Sequence, residues 1–325
     1  MLKSRTSYYN REAMRIAFMG TSQFSVPALE KLIASGHEVV AVYTRPDRLA
    51  GRGRKQSLTP VKEVALGQDI PVFQPETLKN ASEIDRLTGL KPDVIIVVAF
   101  GQILPQDVLD IPSFGCLNIH PSLLPKYRGA SPIVSAILAG DEQTGVTIML
   151  LDAGMDTGPV LAQRKIFIDS EDTAGSLEAK LAEVGADILI GTLSKWFEHK
   201  LVPERQDNRR AIYTGQISKR DGELDWGLPA VELARRARAF YPWPGCYTNW
   251  KGKTLRILKA VPLSATAQIE PGIIVGLSSE GEVSVGVGTG EGLLGLRQVQ
   301  IEGKKAMPAA DFMRGQKGFV GGKLG

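Results

Sequence analysis

Cysteine is scarce in this sequence. The two present, Cys116 and Cys246, lie far apart and in no paired motif. That argues against both a disulfide framework and a cysteine zinc site, because each needs paired thiols at recognisable spacing. Histidine is equally sparse: His37, His120 and His199 stand at no ligand spacing, so no metal is expected. Long apolar runs are missing as well. No stretch approaches the ~20 consecutive apolar residues of a membrane span, and the polar start with Lys3, Ser4 and Arg5 leads into no leader-like apolar run. A cytoplasmic protein with reduced thiols and no membrane partner is expected. Nor is there a large excess of one charge, since 39 Lys and Arg against 35 Asp and Glu leave only +4. That excess is too small to establish a nucleic-acid partner, so the distribution of charge matters more than the sum.

What is present is the composition of an ordinary folded protein, with 43% hydrophobic and 23% charged residues, which sets aside the disordered and fibrous classes. At 325 residues the chain exceeds one comfortable core of roughly 100–200 residues, so two domains are expected. Residues 1–13 show no sustained period and are expected to form a disordered extension, with Met14 a candidate start. From 15 onward, apolar strands alternate with helical stretches. A strand over 15–20 ends in Gly20, a helix over 27–35 is stopped by Gly36, and a second strand covers 38–43. The alternation continues with a helix at 60–66, strands at 93–99 and 115–120, a helix at 133–138, strands at 146–151 and 160–168, and a long amphipathic helix over 173–196. Continuous rather than alternating apolar strands imply a sheet covered on both faces. The fold class is therefore α/β, with a Rossmann-like, largely parallel sheet domain over 14–200, and ligands expected at the carboxyl ends of its strands.

After Lys200 the texture changes. Residues 201–219 are polar and charge-rich, with Pro203, Arg205, Asp207, Arg209 and Arg210, and are expected to be a linker. Residues 220–325 hold one basic helix over 231–240 and short strands at 254–259, 272–276, 283–287 and 294–301, punctuated by Gly and Pro. A small β-barrel of OB-like type is the expected carboxyl-terminal domain. Its glycine run from Gly290 through Gly292 to Gly295 has the G-x-G-x-x-G spacing of a dinucleotide site. It lies between strands rather than between a strand and a helix, so it reads as a hairpin turn, and a nicotinamide dehydrogenase is disfavoured. No G-x-S-x-G elbow supports a serine hydrolase.

The densest chemical signal is Asn118-Ile119-His120-Pro121-Ser122-Leu123-Leu124-Pro125, where a strand runs into a loop. Residues two apart on a strand point to one side, so Asn118 and His120 present an amide and an imidazole together. A second polar element, Asp152-Ala153-Gly154-Met155-Asp156-Thr157-Gly158, is a glycine-bracketed loop able to turn Asp156 back towards His120. Singly, each of these residues is more often a turn former or a packed side chain than a catalyst. Together, an amide, a histidine and a carboxylate suit reactions that develop an oxyanion and move protons near neutral pH.

The Asn118-Ile119-His120 and Ser122-Leu123-Leu124-Pro125 pattern resembles the signature of the folate-dependent formyltransferases, and Asp156 falls on that family's third catalytic position. The likeness runs nearly end to end, from Arg15-Ile16-Ala17-Phe18-Met19-Gly20-Thr21 through Arg45-Pro46-Asp47-Arg48-Leu49-Ala50-Gly51-Arg52-Gly53-Arg54-Lys55 to Gly303-Lys304-Lys305-Ala306-Met307. It is greatest to the branch whose acceptor is methionyl-initiator tRNA. The resemblance implies an enzyme that moves the formyl group of 10-formyltetrahydrofolate to the methionyl amino group for translation initiation, without a metal. It implies Asn118, His120 and Asp156 as catalytic residues. The donor is expected against Ser122, Leu123, Leu124 and Pro125 and against Phe100, Gly101, Gln102, Ile103 and Leu104. By composition alone the basic stretch 45–55 is a solvated loop. The resemblance instead assigns Arg45, Arg48, Gly51, Arg52, Arg54 and Lys55 to the tRNA acceptor stem, with Lys219, Arg220 and the helix residues Arg235, Arg236 and Arg238 extending a basic track. The carboxyl-terminal barrel would bind tRNA, and a monomer is the simplest assembly.

Two rivals remain in view. A binding-only RNA module would suit the barrel and the basic stretches but leaves Asn118, His120 and Asp156 without a role. Formyltransferases acting on glycinamide ribotide or amino sugars share the core, but are not expected to carry both the basic insertion and this second domain.

Overall fold

The computed structural model describes residues 13–50, 55–265, 268–277 and 283–325, with backbone alone at 48–50, 55 and 56. The chain divides into two compact units. One comprises residues 1–125, 146–164 and 181–210, and the other comprises 126–145, 165–180 and 211–325.

The first unit carries most of a seven-stranded sheet of β1 (Arg15–Gly20), β2 (Glu38–Tyr43), β3 (Val72–Phe73), β4 (Val94–Val98), β5 (Cys116–His120), β6 (Gln143–Leu150) and β7 (Val160–Phe167), in the order β7-β6-β5-β4-β1-β2-β3. The pairs from β3 across to β5 are parallel, and β6 turns antiparallel against β5. All five residues of β4 are buried, as a strand covered on both faces requires. The core on one side gathers Met19, Tyr43, Ile95, Val97, Phe100 and Cys116. Helix α1 (Val26–Ala34) carries Pro27 in its first turn and buries Leu29 and Leu32. In α2 (Pro60–Leu66), the Thr59 side chain accepts from the Lys62 N–H at 3.3 Å and caps the helix. Residues 81–89 form α3 (Ala81–Gly89) and 106–109 form α4 (Gln106–Leu109), two helices that the sequence pattern did not announce.

Helix α6 (Ala174–Phe197) follows α5 (Pro132–Ala139) and β7 in the chain. It approaches the sheet closely at Gly185, where a Cβ would stand 2.7 Å from Ile119 Cγ2. Only a hydrogen fits there, so this glycine sets the distance between α6 and β5, the strand that carries Asn118 and His120.

The second unit holds α7 (Ala230–Ala239) and an antiparallel sheet of β8 (Cys246–Trp250), β9 (Lys253–Leu263), β10 (Ile274–Gly276), β11 (Val285–Gly288), β12 (Leu293–Ile301) and β13 (Met307–Pro308). The strand order is β8-β9-β12-β11-β10, with β13 paired to β12. Register shifts around Lys259 in the β9–β12 ladder bend the long strand, which lets the sheet curl into the expected small barrel. Its core includes Leu233 and Ala237 of α7, Ile257, Val287 and Leu296. Trp250, Phe312 of α8 (Ala309–Gly315) and Phe319 meet edge to face, with centroids 4.9–5.7 Å apart. The glycine run at 290–295 is the β11–β12 hairpin, closed by Thr289 N–H donating to the Gly292 carbonyl at 3.3 Å. Among the described residues no helix is long and apolar enough to cross a membrane.

Candidate active site

Strand β5 lies between β4 and β6, so its carboxyl end is flanked on both sides. Asn118 stands opposite Val97 and Met149, and His120 opposite Thr147. The alternation holds: Ile119 is buried beside α6, while Asn118 and His120 share the other face. His120 is 4% exposed and Asn118 half-buried.

The loop leaving β6 brings the carboxylate. Asp152 Oδ1 accepts from Gly154 N–H at 3.0 Å and from the Thr157 hydroxyl at 2.7 Å, which turns the chain back on itself. Asp156 sits at φ 53°, a left-handed conformation that Asp tolerates better than most residues. Gly158 comes so near β6 that a Cβ would lie 1.8 Å from the Leu150 carbonyl oxygen. The loop returns to the sheet there, with Leu150 N–H donating to the Pro159 carbonyl at 2.9 Å and Leu151 N–H to the Cys116 carbonyl at 2.7 Å. The outcome is Asp156 Oδ2 at 3.7 Å from His120 Nδ1, with side chains 17% and 5% exposed. That distance is an ion-pair separation rather than a direct hydrogen bond. Low exposure of both side chains strengthens any charge interaction at this distance.

The loop after β5 is organised by Thr147. Its hydroxyl donates to the Ser122 carbonyl at 2.6 Å and accepts from Leu124 N–H at 3.1 Å and from Gln163 Nε2 at 2.9 Å, while Gln163 also donates to the Leu124 carbonyl at 2.9 Å. Ser122 and Leu124 are buried, whereas Leu123 and Pro125 are half-buried. The loop after β4, the neighbouring parallel strand, leaves the same sheet edge. Phe100 and Leu104 are core there, Gly101 is exposed, and Ile103 is 82% exposed. Gln102 Nε2 donates to the Pro75 carbonyl at 3.0 Å and is occupied in holding the loop. A flat heterocycle at this edge would therefore meet backbone polar groups and the apolar Ile103, with Phe100, Leu104, Ser122 and Leu124 as the supporting layer. That mixture suits a folate, whose ring needs both apolar faces and hydrogen-bonding edges.

Of the basic stretch, Gly51, Arg52 and Arg54 lie outside the described residues, as do the side chains of Arg48 and Lys55. The flanking backbone forms a short antiparallel ladder, Arg48–Ala50 against Lys55–Ser57. The Arg45 guanidinium donates to the Gly101 carbonyl of the strand-end loop. At the root of the ladder Asp47 is 5% exposed, receives Lys62 Nζ at 2.6 Å and accepts from Gln74 Nε2 at 2.7 Å. Lys62 holds the Asp47 carboxyl below the usual carboxylate range. In the second unit Lys219 and Arg220 are exposed on a short 3-10 turn (Lys219–Gly222), and Arg236 pairs with Glu232 at 3.4 Å. Arg238 donates to the Asp172 carbonyl at 2.9 Å. Among the described residues no three His, Cys, Asp or Glu side chains gather as a metal-holding group.

Sequence reasoning missed the supporting polar residues Thr147, Gln163, Gln74 and Gln206. Gln206 Nε2 donates to the Asp156 carbonyl at 2.9 Å and to the Gly158 carbonyl at 2.7 Å. Only Thr147 carried a sequence signal, as the strand residue two before Met149 on the neighbour of β5. The three glutamines have no periodicity to mark them.

Residues 14–193 match the profile of the family described as formyl transferase, and residues 216–317 that of formyl transferase, C-terminal domain. The methionyl-tRNA formyltransferase of Hydrogenovibrio crunogenus is 49% identical over 314 residues, covering 97% of this chain and 99% of its own length. That of Dehalococcoides mccartyi is 47% identical over 312 residues, covering 96% and 99%. Among solved structures, HypX from Aquifex aeolicus in complex with tetrahydrofolic acid has a TM-score of 0.64 at 20% identity, over 96% of this chain and 49% of that one. WlaRD, a sugar 3N-formyl transferase, has a TM-score of 0.63 at 19% identity, over 90% and 100%. At these identities the structural likeness carries the fold alone.

Proposed function

The chain belongs to the formyl transferase family, and from that premise we propose that Asn118, His120 and Asp156 move the formyl group of 10-formyltetrahydrofolate to the amino group of methionyl-initiator tRNA. The acceptor follows from near full-length identity to methionyl-tRNA formyltransferases. The observation that carries the catalytic assignment is the His120–Asp156 pair at 3.7 Å, with Asn118 on the same strand face.

The donor supplies a formyl carbon that the neutral methionyl amine attacks. As charge develops on the formyl oxygen, the Asn118 amide and the protonated His120 ring donate hydrogen bonds to it. Asp156 faces the imidazole and takes part in removing the proton that the amine releases when the new C–N bond forms. The old C–N bond then breaks, and the folate nitrogen takes up a proton, matching the one the amine released, as it leaves. The loops 100–104 and 122–125 hold the donor, and the basic stretch 45–55, with Arg52 in it, guides the acceptor stem. The enzyme acts as a monomer in the cytoplasm. Alanine at Asn118, His120 or Asp156 is expected to lower turnover by about 10²-fold or more, with much smaller changes in either KM. Near-normal turnover in folded variants would overturn the assignment. Arg52→Leu is expected to raise the tRNA KM and leave the donor KM alone.

A further inference from the structure

We infer that Gln206 is a positioning residue for Asp156, so that the polar stretch after α6 helps build the active site as well as joining the catalytic domain to the carboxyl-terminal one. The inference rests on the catalytic role proposed for Asp156.

Asp156 occupies a left-handed backbone conformation, φ 53°, that L side chains rarely adopt, so its surroundings must hold it there. Within the loop, Asp152 organises Gly154 before it and Thr157 after it. From outside the loop, the Asp156 and Gly158 carbonyls accept from one and the same amide nitrogen, Gln206 Nε2, at 2.9 and 2.7 Å. Fixing the Asp156 carbonyl fixes its ψ. With φ already set, the Cα–Cβ direction is determined, and that direction aims the carboxylate at His120. Gln206 is itself anchored, because Glu204 and Val160 exchange backbone hydrogen bonds at 2.8 Å in both directions, which docks this stretch on the first residue of β7. The clamp therefore reaches the loop from a segment roughly fifty residues away in sequence.

The chemistry of the clamp is specific. A carboxamide offers two N–H donors, and here both carbonyls take one. A glutamate of the same shape offers none when ionised and would press an anionic oxygen on two carbonyl oxygens. Gln206→Glu is thus an inverted version of the contact with nearly unchanged packing.

The test uses the full-length chain carrying Gln206→Ala or Gln206→Glu, each alone and combined with Asp156→Asn. Formyl transfer from 10-formyltetrahydrofolate to methionyl-initiator tRNA is measured under single-turnover and steady-state conditions, with thermal melts to establish folding. Expected is a fall in turnover of about ten-fold or more for Gln206→Ala, larger for Gln206→Glu, with both KM values within about two-fold. In the Asp156→Asn background the same substitutions should cost little more, because the group they position is already disabled. A folded Gln206→Glu enzyme with wild-type turnover overturns the inference, as does an equal multiplicative loss in both backgrounds. If Gln206→Ala does not fold, the isosteric Gln206→Glu decides. Full turnover in Asp156→Asn itself would sink the catalytic reading and this inference together. An inactive Asp156→Asn beside intact Gln206 variants would sink the inference alone.

Discussion

Adding one methyl at Gly158 should disable the site without removing any of its three proposed catalytic side chains. In Gly158→Ala the new Cβ would start 1.8 Å from the Leu150 carbonyl oxygen. Ordinary contact needs the two apart by roughly 1.5 Å or more beyond that. Neither side yields easily. Leu150 and Leu151 are tied to Pro159 and Cys116 by backbone hydrogen bonds of 2.9 and 2.7 Å, and the Gly158 carbonyl is held by Gln206. The displacement therefore passes into the loop and moves Asp156 relative to His120. A misplacement of about 1 Å at reacting groups costs on the order of 10²-fold in rate, and overpacking costs about 1–3 kcal/mol in stability. The assay compares formyl-transfer turnover and thermal melting of Gly158→Ala with Gly191→Ala. Gly191 lies exposed in α6 with nothing within 4 Å of an added Cβ, so its substitution should leave turnover alone and stabilise by up to about 1 kcal/mol. Gly158→Ala with wild-type turnover and melting temperature would refute the geometry on which the site is built.

Thr147→Val removes the hydroxyl that serves the Ser122 carbonyl and the Leu124 N–H, and is expected to destabilise by about 2–4 kcal/mol and to raise the donor KM; an unchanged melt and KM would count against that hub. Lys62→Met strips the nearly buried Asp47 of its cation and should cost about 2 kcal/mol or more at neutral pH. Because hydrogen bonding from Lys62 lowers the Asp47 pKa, the pair's contribution is fully present above the ordinary Asp value of ~3.9 and is lost as pH falls through the lowered folded value. Urea midpoints at pH 7 and in acid should therefore show the wild-type advantage shrinking in acid, and a gap independent of pH would be inconsistent with the ion pair. Burial pushes the thiols of Cys116 and Cys246 up to about 12. A thiol reagent at pH 8 should label neither in the native protein and both after denaturation, and rapid native labelling would show that these cysteines are not packed as described.

The central pieces were legible because they obey short periods. Asn118 and His120 are two apart on a strand, and continuous runs such as Val94–Val98 announce a sheet covered on both faces. Asp156 was legible through its glycine brackets, which mark a turning loop. Elements without a period were not. Strand β3 is two residues long, and α3 buries only Leu87 behind a polar surface, so neither has an apolar pattern to find. The stretch 201–219 reads as a linker by composition, yet Glu204 pairs with Val160 through backbone atoms alone and Gln206 reaches the Asp156 loop through an amide. Such contacts are set by the tertiary approach of distant segments, and side-chain type does not encode them. Arg45 shows the same limit from the other side. A run of five cations suggests a phosphate-facing surface, but nothing in the composition tells that this one bonds the Gly101 carbonyl of a neighbouring loop.

The most direct measurement is transfer of radiolabelled formyl from 10-formyltetrahydrofolate to methionyl-initiator tRNA, with uncharged tRNA and free methionine as controls. Label on the charged tRNA alone is the predicted result. Folded protein that labels none of them, or that labels a small amine in preference to the charged tRNA, would contradict the account.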